Sequence, residues 1–282
     1  MSSRSSLFCF GMGYCAEALC KSLETDGWQV SGTTREASER ADVFPFDRAR
    51  PLENAVAKLA DASHLLVSIP PDREGDPVLD CHHAELAEMA NLRWVGYLST
   101  TGVYGDHQGG WVDESTPTAP TSDRARNRAD AEEAWFRLGE AIGVPVLIFR
   151  LAGIYGPGRS QLNNVRRGTA HRIRKPGQVF SRIHVDDVVG ILRASMDRPR
   201  PGAIYNVCDD EAAPPDEVIA YAAELLDVPP PPLIAFDDAD LSPMARSFYA
   251  DNKRVRNQLV KSELRYEFKY SSYREGLKSM AN

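Results

Sequence analysis

Two glycines near the N-terminal end of the chain are spaced for binding a phosphate group. Gly11, Gly13 and Ala16 form the pattern G-x-G-x-x-A, between an apolar run and a helical one. The first glycine permits a tight turn, the second lets the backbone approach a pyrophosphate, and the helix N-terminus offers N–H groups to it. Gly11, Gly13, Tyr14 and Ala16 are therefore predicted to bind a dinucleotide cofactor, with an ordinary glycine turn as the alternative.

The end of the second predicted strand indicates which dinucleotide this is. NAD-binding chains usually place a carboxylate there for the ribose 2′-hydroxyl, whereas this chain has Thr34 and Arg35. A guanidinium suits a 2′-phosphate, so we expect NADP(H) to be preferred, with NAD(H) as the alternative. We also expect Asp47 to reach the adenine, and Ser68 and Pro70 to lie where the adenosine ribose and pyrophosphate pass.

Alternating strand and helix patterns must position these residues. The predicted strands are Leu7–Phe10, Trp28–Thr33, Val43–Phe46, His64–Ile69, Trp94–Ser99 and Val146–Leu151. The predicted helices are Tyr14–Leu23, Leu52–Leu59, Leu79–Ala90 and Asp123–Ile142. Buried-type strands alternating with helices predict an α/β fold with a doubly wound parallel Rossmann sheet.

The pattern becomes less regular after Leu151. We expect residues 1–151 to form the NAD(P)-binding Rossmann core, and residues 152–282 a smaller substrate-side lobe interleaved with the end of the sheet. In this lobe the sequence predicts a loop at 153–158, a strand at 203–207 and helices at 161–171, 186–196 and 217–226.

The composition excludes several classes of protein. With 33 Lys and Arg against 40 Asp and Glu, the formal net charge is −7, which disfavours general nucleic-acid binding. No apolar run approaches the ~18–20 residues of a membrane helix, and no signal peptide is recognisable. The five cysteines lack metal-ligand spacing, so we expect a reduced, cytoplasmic protein without a metal site.

Four segments resemble a known family. They are Tyr97–Gly105 (YLSTTGVYG), Phe149–Gly158 (FRLAGIYGPG), Arg182–Asp187 (RIHVDD) and Tyr205–Val207 (YNV). In this order and spacing the chain resembles an atypical extended short-chain dehydrogenase/reductase over about residues 7–210. This group contains NAD(P)-dependent sugar epimerases and dehydratases, so the resemblance implies hydride chemistry on a small-molecule substrate.

The expected active site departs from the pattern of that family. The family's catalytic tyrosine and lysine fall on Arg124 and Arg128, and its catalytic serine or threonine falls on Thr100. Arginine does not release its proton near neutral pH, so Arg124 is not the base. Arg128 can still hold the nicotinamide ribose, and Thr100 can hydrogen-bond to a substrate oxygen.

Three alternatives exist for the missing proton carrier. A phenol could come from Tyr104 or Tyr155, a carboxylate could come from Asp113 or Glu114, or the site performs no such chemistry. Tyr104 therefore joins Thr100 and Arg128 in the predicted catalytic set.

A basic stretch predicts an anionic substrate. Seven Lys and Arg residues, and no acid, lie between Arg159 and Arg182. Guanidinium groups bind phosphates and carboxylates, although several of these side chains could instead face water or pair with acids. Arg124, Tyr155, Arg159 and Arg182 are the predicted substrate-binding residues, and the resemblance implies that a sugar nucleotide would fit.

Two functions remain open at this stage. The first is an NAD(P)-dependent oxidoreductase or epimerase/dehydratase-like enzyme, and the second is a non-catalytic NADP(H)-binding sensor or scaffold. The resemblance also implies a homodimer through helices near residues 79–90 and 123–142. An apolar stripe formed by Ala131, Ala134, Trp135 and Leu138 could face such a partner or the chain's own sheet.

Overall fold

The computed structural model describes residues 5–281 as alternating strands and helices. The strands are β1 Ser6–Phe10, β2 Gln29–Thr34, β3 Val43–Pro45, β4 His64–Val67, β5 Trp94–Thr100, β6 Trp111–Val112, β7 Val146–Leu151, β8 Gly153–Tyr155, β9 Arg172–Arg174, β10 Arg182–His184, β11 Ile204–Val207, β12 Leu233–Ala235 and β13 Arg254–Val255. The helices are α1 Tyr14–Thr25, α2 Ala55–Leu59, α3 Pro77–Ala87, α4 Asp123–Ile142, α5 Gln161–Arg166, α6 Val185–Asp197, α7 Pro215–Leu225, α8 Pro243–Phe248, α9 Gln258–Glu263 and α10 Tyr273–Lys278. None of these helices is both long and apolar enough to cross a bilayer.

A seven-stranded sheet has the order β11-β7-β5-β4-β1-β2-β3. Strand β1 pairs in parallel with β2 on one side and with β4 on the other, so that Leu7 lies opposite both Val30 and His64. The direction of strand addition therefore reverses between β1 and β4, which is where ligands bind in open α/β sheets. The predicted doubly wound α/β fold is confirmed.

The chain divides into two compact units. The first runs to Thr100 and also contains Ser122–Arg150 and Val189–Tyr205. The second contains Thr101–Thr121, Leu151–Val188 and the chain from Asn206 onward. Within the second unit, three short parallel pairs form between β8 and β10, β9 and β12, and β6 and β13.

Two predictions for the second half of the chain were wrong in detail. Part of the loop predicted at 153–158 is strand β8, which pairs with β10. The helix predicted at 161–171 ends at Arg166, because Gly168 adopts a left-handed conformation with φ +68° before β9 begins.

The apolar stripe of α4 belongs to the core of the first unit. Ala131, Trp135 and Leu138 are buried in one cluster with strand residues such as Phe8 and Leu65. The stripe therefore faces the chain's own sheet and provides no surface for a partner, and the homodimer remains a prediction without this support.

A buried ion pair fixes α4 against the ends of two strands. Arg150 on β7 donates to both oxygens of Glu132 on α4, at 2.7 Å from Nη2 to Oε2, and the Ser99 hydroxyl on β5 donates to Oε1. Both charged side chains are about 95% buried, with 5% and 4% exposed. Removing one partner of such a pair leaves a desolvated charge without its counter-ion.

We predict that Glu132→Ala lowers the free energy of unfolding by about 3–5 kcal/mol. The neighbouring Glu133→Ala is the control, because the Glu133–Arg137 pair is exposed and its atoms lie 3.6 Å apart. This control should change stability by no more than about 0.5 kcal/mol. Urea unfolding of both variants measures the difference, and equal losses would contradict a stabilising role for the buried pair.

Candidate functional site

The glycine turn lies at the point where the strand order reverses. Gly11 follows β1 with φ +94°, a conformation that favours glycine. Its N–H donates to Thr33 Oγ1 at 3.0 Å, and its carbonyl accepts from Ser68 Oγ at 2.5 Å. The N–H of Met12 donates to the Thr33 carbonyl at 2.7 Å. The ends of β2 and β4 therefore hold the turn from both sides.

The two glycines of the turn differ in what surrounds them. A Cβ at Gly11 would lie 2.8 Å from both Ser68 Oγ and Ile69 Cγ1, so the fold itself requires glycine there. A Cβ at Gly13 would meet no described atom within 4 Å, and its φ of −94° suits any residue. Gly13 precedes α1, and its carbonyl accepts the N–H of Glu17 at 2.8 Å. Packing therefore does not explain Gly13, and it leaves open space at the helix N-terminus.

Two arginines lie together after β2 and β3. Arg35 is exposed, and its carbonyl accepts a hydrogen bond from the Arg50 guanidinium. Arg50 also lies 3.3 Å from the Asp47 carboxylate, within a tight turn that these two residues close. The Thr34 hydroxyl donates to the Glu36 carbonyl at 2.6 Å. Sequence reasoning missed Arg50, although its D-x-x-R spacing from Asp47 was a usable signal.

The start of α4 lies beside the end of β5. The Arg128 guanidinium donates to the Leu98 carbonyl at 2.8 Å and to the Tyr97 hydroxyl at 3.2 Å. Thr100 is the half-buried last residue of β5, two residues beyond Leu98. Arg124 lies one helical turn before Arg128 and is exposed. The first unit thus brings Arg128 to the strand end that carries Thr100. Pro70, which follows β4, is exposed.

The two candidate phenols are buried in the second unit. Tyr104 is fully buried, and its hydroxyl donates to Asn206 Oδ1 at 2.8 Å. The Tyr155 hydroxyl lies 3.4 Å from the Ser272 carbonyl, and its ring packs edge-on against His184. Burial raises the pKa of Tyr155 above its ordinary value. These contacts fit packing roles and do not present a reactive phenol.

The two candidate carboxylates are also engaged by neighbours. Asp113 accepts from the Ser115 hydroxyl at 2.6 Å, and this hydrogen bond is the main cause that lowers the pKa of Asp113. Glu114 accepts the backbone N–H of Asn206 at 2.8 Å. Both therefore stabilise loops of the second unit.

Most of the basic stretch is hydrogen-bonded within the second unit. Five of its side chains donate to nearby acceptors: Arg166 to the Ala281 carbonyl, Arg172 to the Asp216 carbonyl, Arg174 to the Asp216 carboxylate, Lys175 to the Tyr249 carbonyl, and Arg182 to the Phe180 and Ala213 carbonyls. Arg159 is exposed in a tight turn that it closes with Gly156. The stretch is thus less available to an anion than its sequence indicates.

The fold and the glycine turn define an α/β protein of the dinucleotide-binding class, and comparisons with known proteins agree. Residues 79–208 match the model of the NAD dependent epimerase/dehydratase family. Protein YeeZ of Escherichia coli strain K12 is 30% identical over 276 residues, covering 92% of this chain and 94% of that protein. The chain belongs to the NAD-dependent epimerase/dehydratase family, which confirms the resemblance drawn from its motifs.

Solved structures show the same fold. A functionally unknown conserved protein from Silicibacter pomeroyi DSS matches with a TM-score of 0.88 and 49% identity, over 98% of both chains. The dTDP-glucose 4,6-dehydratase of Bacillus anthracis, solved in complex with NAD, matches with a TM-score of 0.76 and 18% identity. That alignment covers 99% of this chain and 95% of the dehydratase.

A buried acid in the second unit was not singled out from the sequence. Asp209 is 3% exposed, and its Oδ2 has no partner among residues 5–281, while Oδ1 accepts the Glu211 N–H at 3.2 Å. Burial raises the pKa of Asp209 to about 8. The nearby Arg182 opposes this shift, and the charges of Glu211 and Asp210 add to it.

This pKa predicts how stability depends on pH. An unfolded Asp has a pKa of about 3.9, so between about pH 4 and pH 8 the unfolded chain is ionised while the folded chain keeps the proton. Stability should therefore fall as pH rises through this window. Asp209→Asn removes this pH dependence. The change in the free energy of unfolding caused by the substitution should therefore be more favourable at pH 8.5 than at pH 5, by about 2 kcal/mol or more.

Thermal unfolding of wild type and variant at both pH values measures this gain. Asp130→Asn is the control, because Asp130 is exposed on α4 and is not among the charges that shift the pKa of Asp209. A gain for Asp209→Asn that is the same at both pH values would contradict the raised pKa.

Proposed function

We propose that this chain binds NAD(P)(H) at the glycine turn, with NADP(H) preferred. The observation that carries this proposal is the open space at Gly13, directly before the N-terminus of a twelve-residue helix. That space fits a pyrophosphate, because the backbone approaches closely only where a side chain is absent. Gly11, Gly13, Tyr14, Ala16, Ser68 and Pro70 would hold the adenosine and pyrophosphate.

The cluster of Arg35, Arg50 and Asp47 supports the preference for NADP(H). The Arg50 guanidinium lies against the backbone of Arg35, just after the strand end where a 2′-phosphate would be held, and it is paired with the Asp47 carboxylate, the predicted adenine contact. Forked N–H donors bind phosphate strongly.

We propose that the protein is an oxidoreductase, or an epimerase/dehydratase-like enzyme, acting on a small and anionic substrate. A bound nicotinamide supplies or accepts hydride. Thr100 donates a hydrogen bond to the reacting oxygen, and Arg128, held by the Leu98 carbonyl, contacts the nicotinamide ribose. Tyr104 and Tyr155 have packing roles, because their hydroxyls are buried and hydrogen-bonded.

A sugar nucleotide is the substrate class suggested by the similar dehydratases. Arg159 remains a candidate for this substrate, whereas Arg182 is committed to two backbone carbonyls.

The second candidate function is a sensor or scaffold that binds NADP(H) without turnover. It is favoured by one observation: Tyr104, Tyr155, Asp113 and Glu114 are each engaged by the chain itself. Incubation of the purified protein with NADPH and a panel of carbonyl compounds separates the two functions. Oxidation of NADPH by any member supports the enzyme, and tight binding with unchanged cofactor supports the sensor.

We further propose a homodimer in the cytoplasm. The five cysteines are free thiols in this structure, which suits a reducing compartment. Sedimentation of the purified protein tests the dimer, and a monomer at micromolar concentration would contradict it.

We predict that Gly13→Ala weakens cofactor binding but leaves the protein folded. The added methyl group fills the space proposed for the pyrophosphate and strains no backbone angle. Fluorescence titration with NADPH and NADH should show at least a tenfold loss of affinity. The free energy of unfolding, measured by thermal unfolding, should change by about 0.5 kcal/mol or less. Unchanged affinity for both nucleotides would overturn the proposed site.

We also predict that Arg35→Glu weakens NADPH binding about tenfold more than NADH binding. Reversing this charge repels a 2′-phosphate and spares a 2′-hydroxyl. Arg137→Glu is the control, since Arg137 is an exposed arginine in the C-terminal half of α4. Equal losses for both nucleotides would contradict the assignment of Arg35.

A further inference from the structure

The first two turns of α4 carry positive charge that their own helix does not favour. Arg124, Arg126 and Arg128 lie close to the start of the helix at Asp123. Cations are disfavoured near a helix N-terminus, because the helix dipole is positive there. Like charges at i and i+4, such as Arg124 and Arg128, also repel each other on one helix face.

Only part of this charge is neutralised. Arg126 pairs with the carboxylate of Asp123, and Arg128 donates to the Leu98 carbonyl. The Arg124 guanidinium has no hydrogen-bond or ion-pair partner within residues 5–281, and the side chain is exposed. Natural sequences tend to break such local rules at functional positions, so this arrangement points to a ligand.

The location of the pair identifies the kind of ligand. Arg128 is fixed to the carbonyl of Leu98 on β5, two residues before Thr100. Residues at i and i+4 share one face of a helix, so Arg124 lies one turn along the same face. A guanidinium fork binds the two oxygens of a carboxylate or a phosphate.

We propose that Arg124, one helical turn from Arg128 on the same face of α4, binds an oxyanion of the substrate, a carboxylate or a phosphate close to the reacting carbon. This inference rests on the proposed function, because it names the substrate class of the same site. It also moves the anion site away from the basic stretch at 159–182, where five side chains are already hydrogen-bonded within their own unit.

The test measures anion binding to the protein saturated with NADPH. Calorimetric titrations use malonate as the carboxylate probe, inorganic phosphate as the phosphate probe, and malonamide as the neutral probe. Wild type should bind malonate or phosphate and should not bind malonamide. Arg124→Gln should lower the affinity for the anion that binds at least tenfold, since it removes a charge-assisted hydrogen bond. Arg124→Lys should lie between the two if both N–H groups of the fork are used.

Arg126→Gln is the matched control. It removes one positive charge from the same turn of the same helix, but its side chain is already paired with Asp123. Its anion affinity should stay within about twofold of wild type. Binding of malonate alone would identify a carboxylate substrate, and binding of phosphate alone would identify a phosphorylated one.

Three results would overturn the proposal: no binding of either anion to wild type, unchanged binding in Arg124→Gln, or an equal loss in Arg126→Gln. NADPH titration of the same samples separates this failure from that of the proposed function. If wild type and Arg124→Gln bind NADPH equally, and also bind the anions with equal affinity, the oxyanion site alone is wrong. If NADPH and NADH do not bind wild type, the proposed function itself is wrong.

Discussion

The geometry at the end of β5 depends on the buried ion pair between Glu132 and Arg150. The two side chains come from α4 and β7, and the Ser99 hydroxyl of β5 joins them. Separating such charges in a water-poor interior is costly, so the pair fixes how far α4 lies along the sheet and how it is rotated. One turn earlier on the same helix, Arg128 reaches the Leu98 carbonyl. The cationic side chains at the start of α4 therefore take their positions in part from a charge pair that is almost fully buried.

The glycine turn separates what the fold needs from what a ligand needs. Gly11 is explained by the chain alone, because its φ is +94° and neighbouring atoms exclude a Cβ. Gly13 is not explained in this way, since alanine would fit its backbone angle and its surroundings. A glycine loses more conformational entropy on folding than other residues, and at a position that any residue could occupy no packing contact or special backbone angle offsets that cost. Under the proposed function, a bound group that needs close approach of the backbone supplies the missing reason, which makes Gly13 the more informative of the two residues.

Sequence signals predicted elements well where the cause is local. Helix α4 has the predicted bounds because Ser122 accepts the Ala125 N–H at its start and Gly143, with φ +69°, ends it. Strands β8, β9 and β12 were missed, because each has three residues and pairs with a segment distant in sequence. The candidate site follows the same rule. The glycine pattern is local and was found, whereas the partner of the Tyr104 hydroxyl, Asn206, lies 102 residues away and is indicated by no local motif.

The ion pairs of the protein are the clearest example of what the sequence does not predict, because the fold, and not the neighbouring sequence, determines the partner of a cation. The basic stretch at 159–182 has no acid within it, yet Arg174 is neutralised by Asp216, 42 residues away. Arg124 follows an acid directly in the sequence, yet that acid pairs with Arg126. The density of positive charge along the chain is therefore a weak guide to which guanidinium groups are available to an anion. A guanidinium that the fold of residues 5–281 leaves without a partner, such as Arg124 at the start of α4, is the better criterion, since its charge gains most from binding an anion.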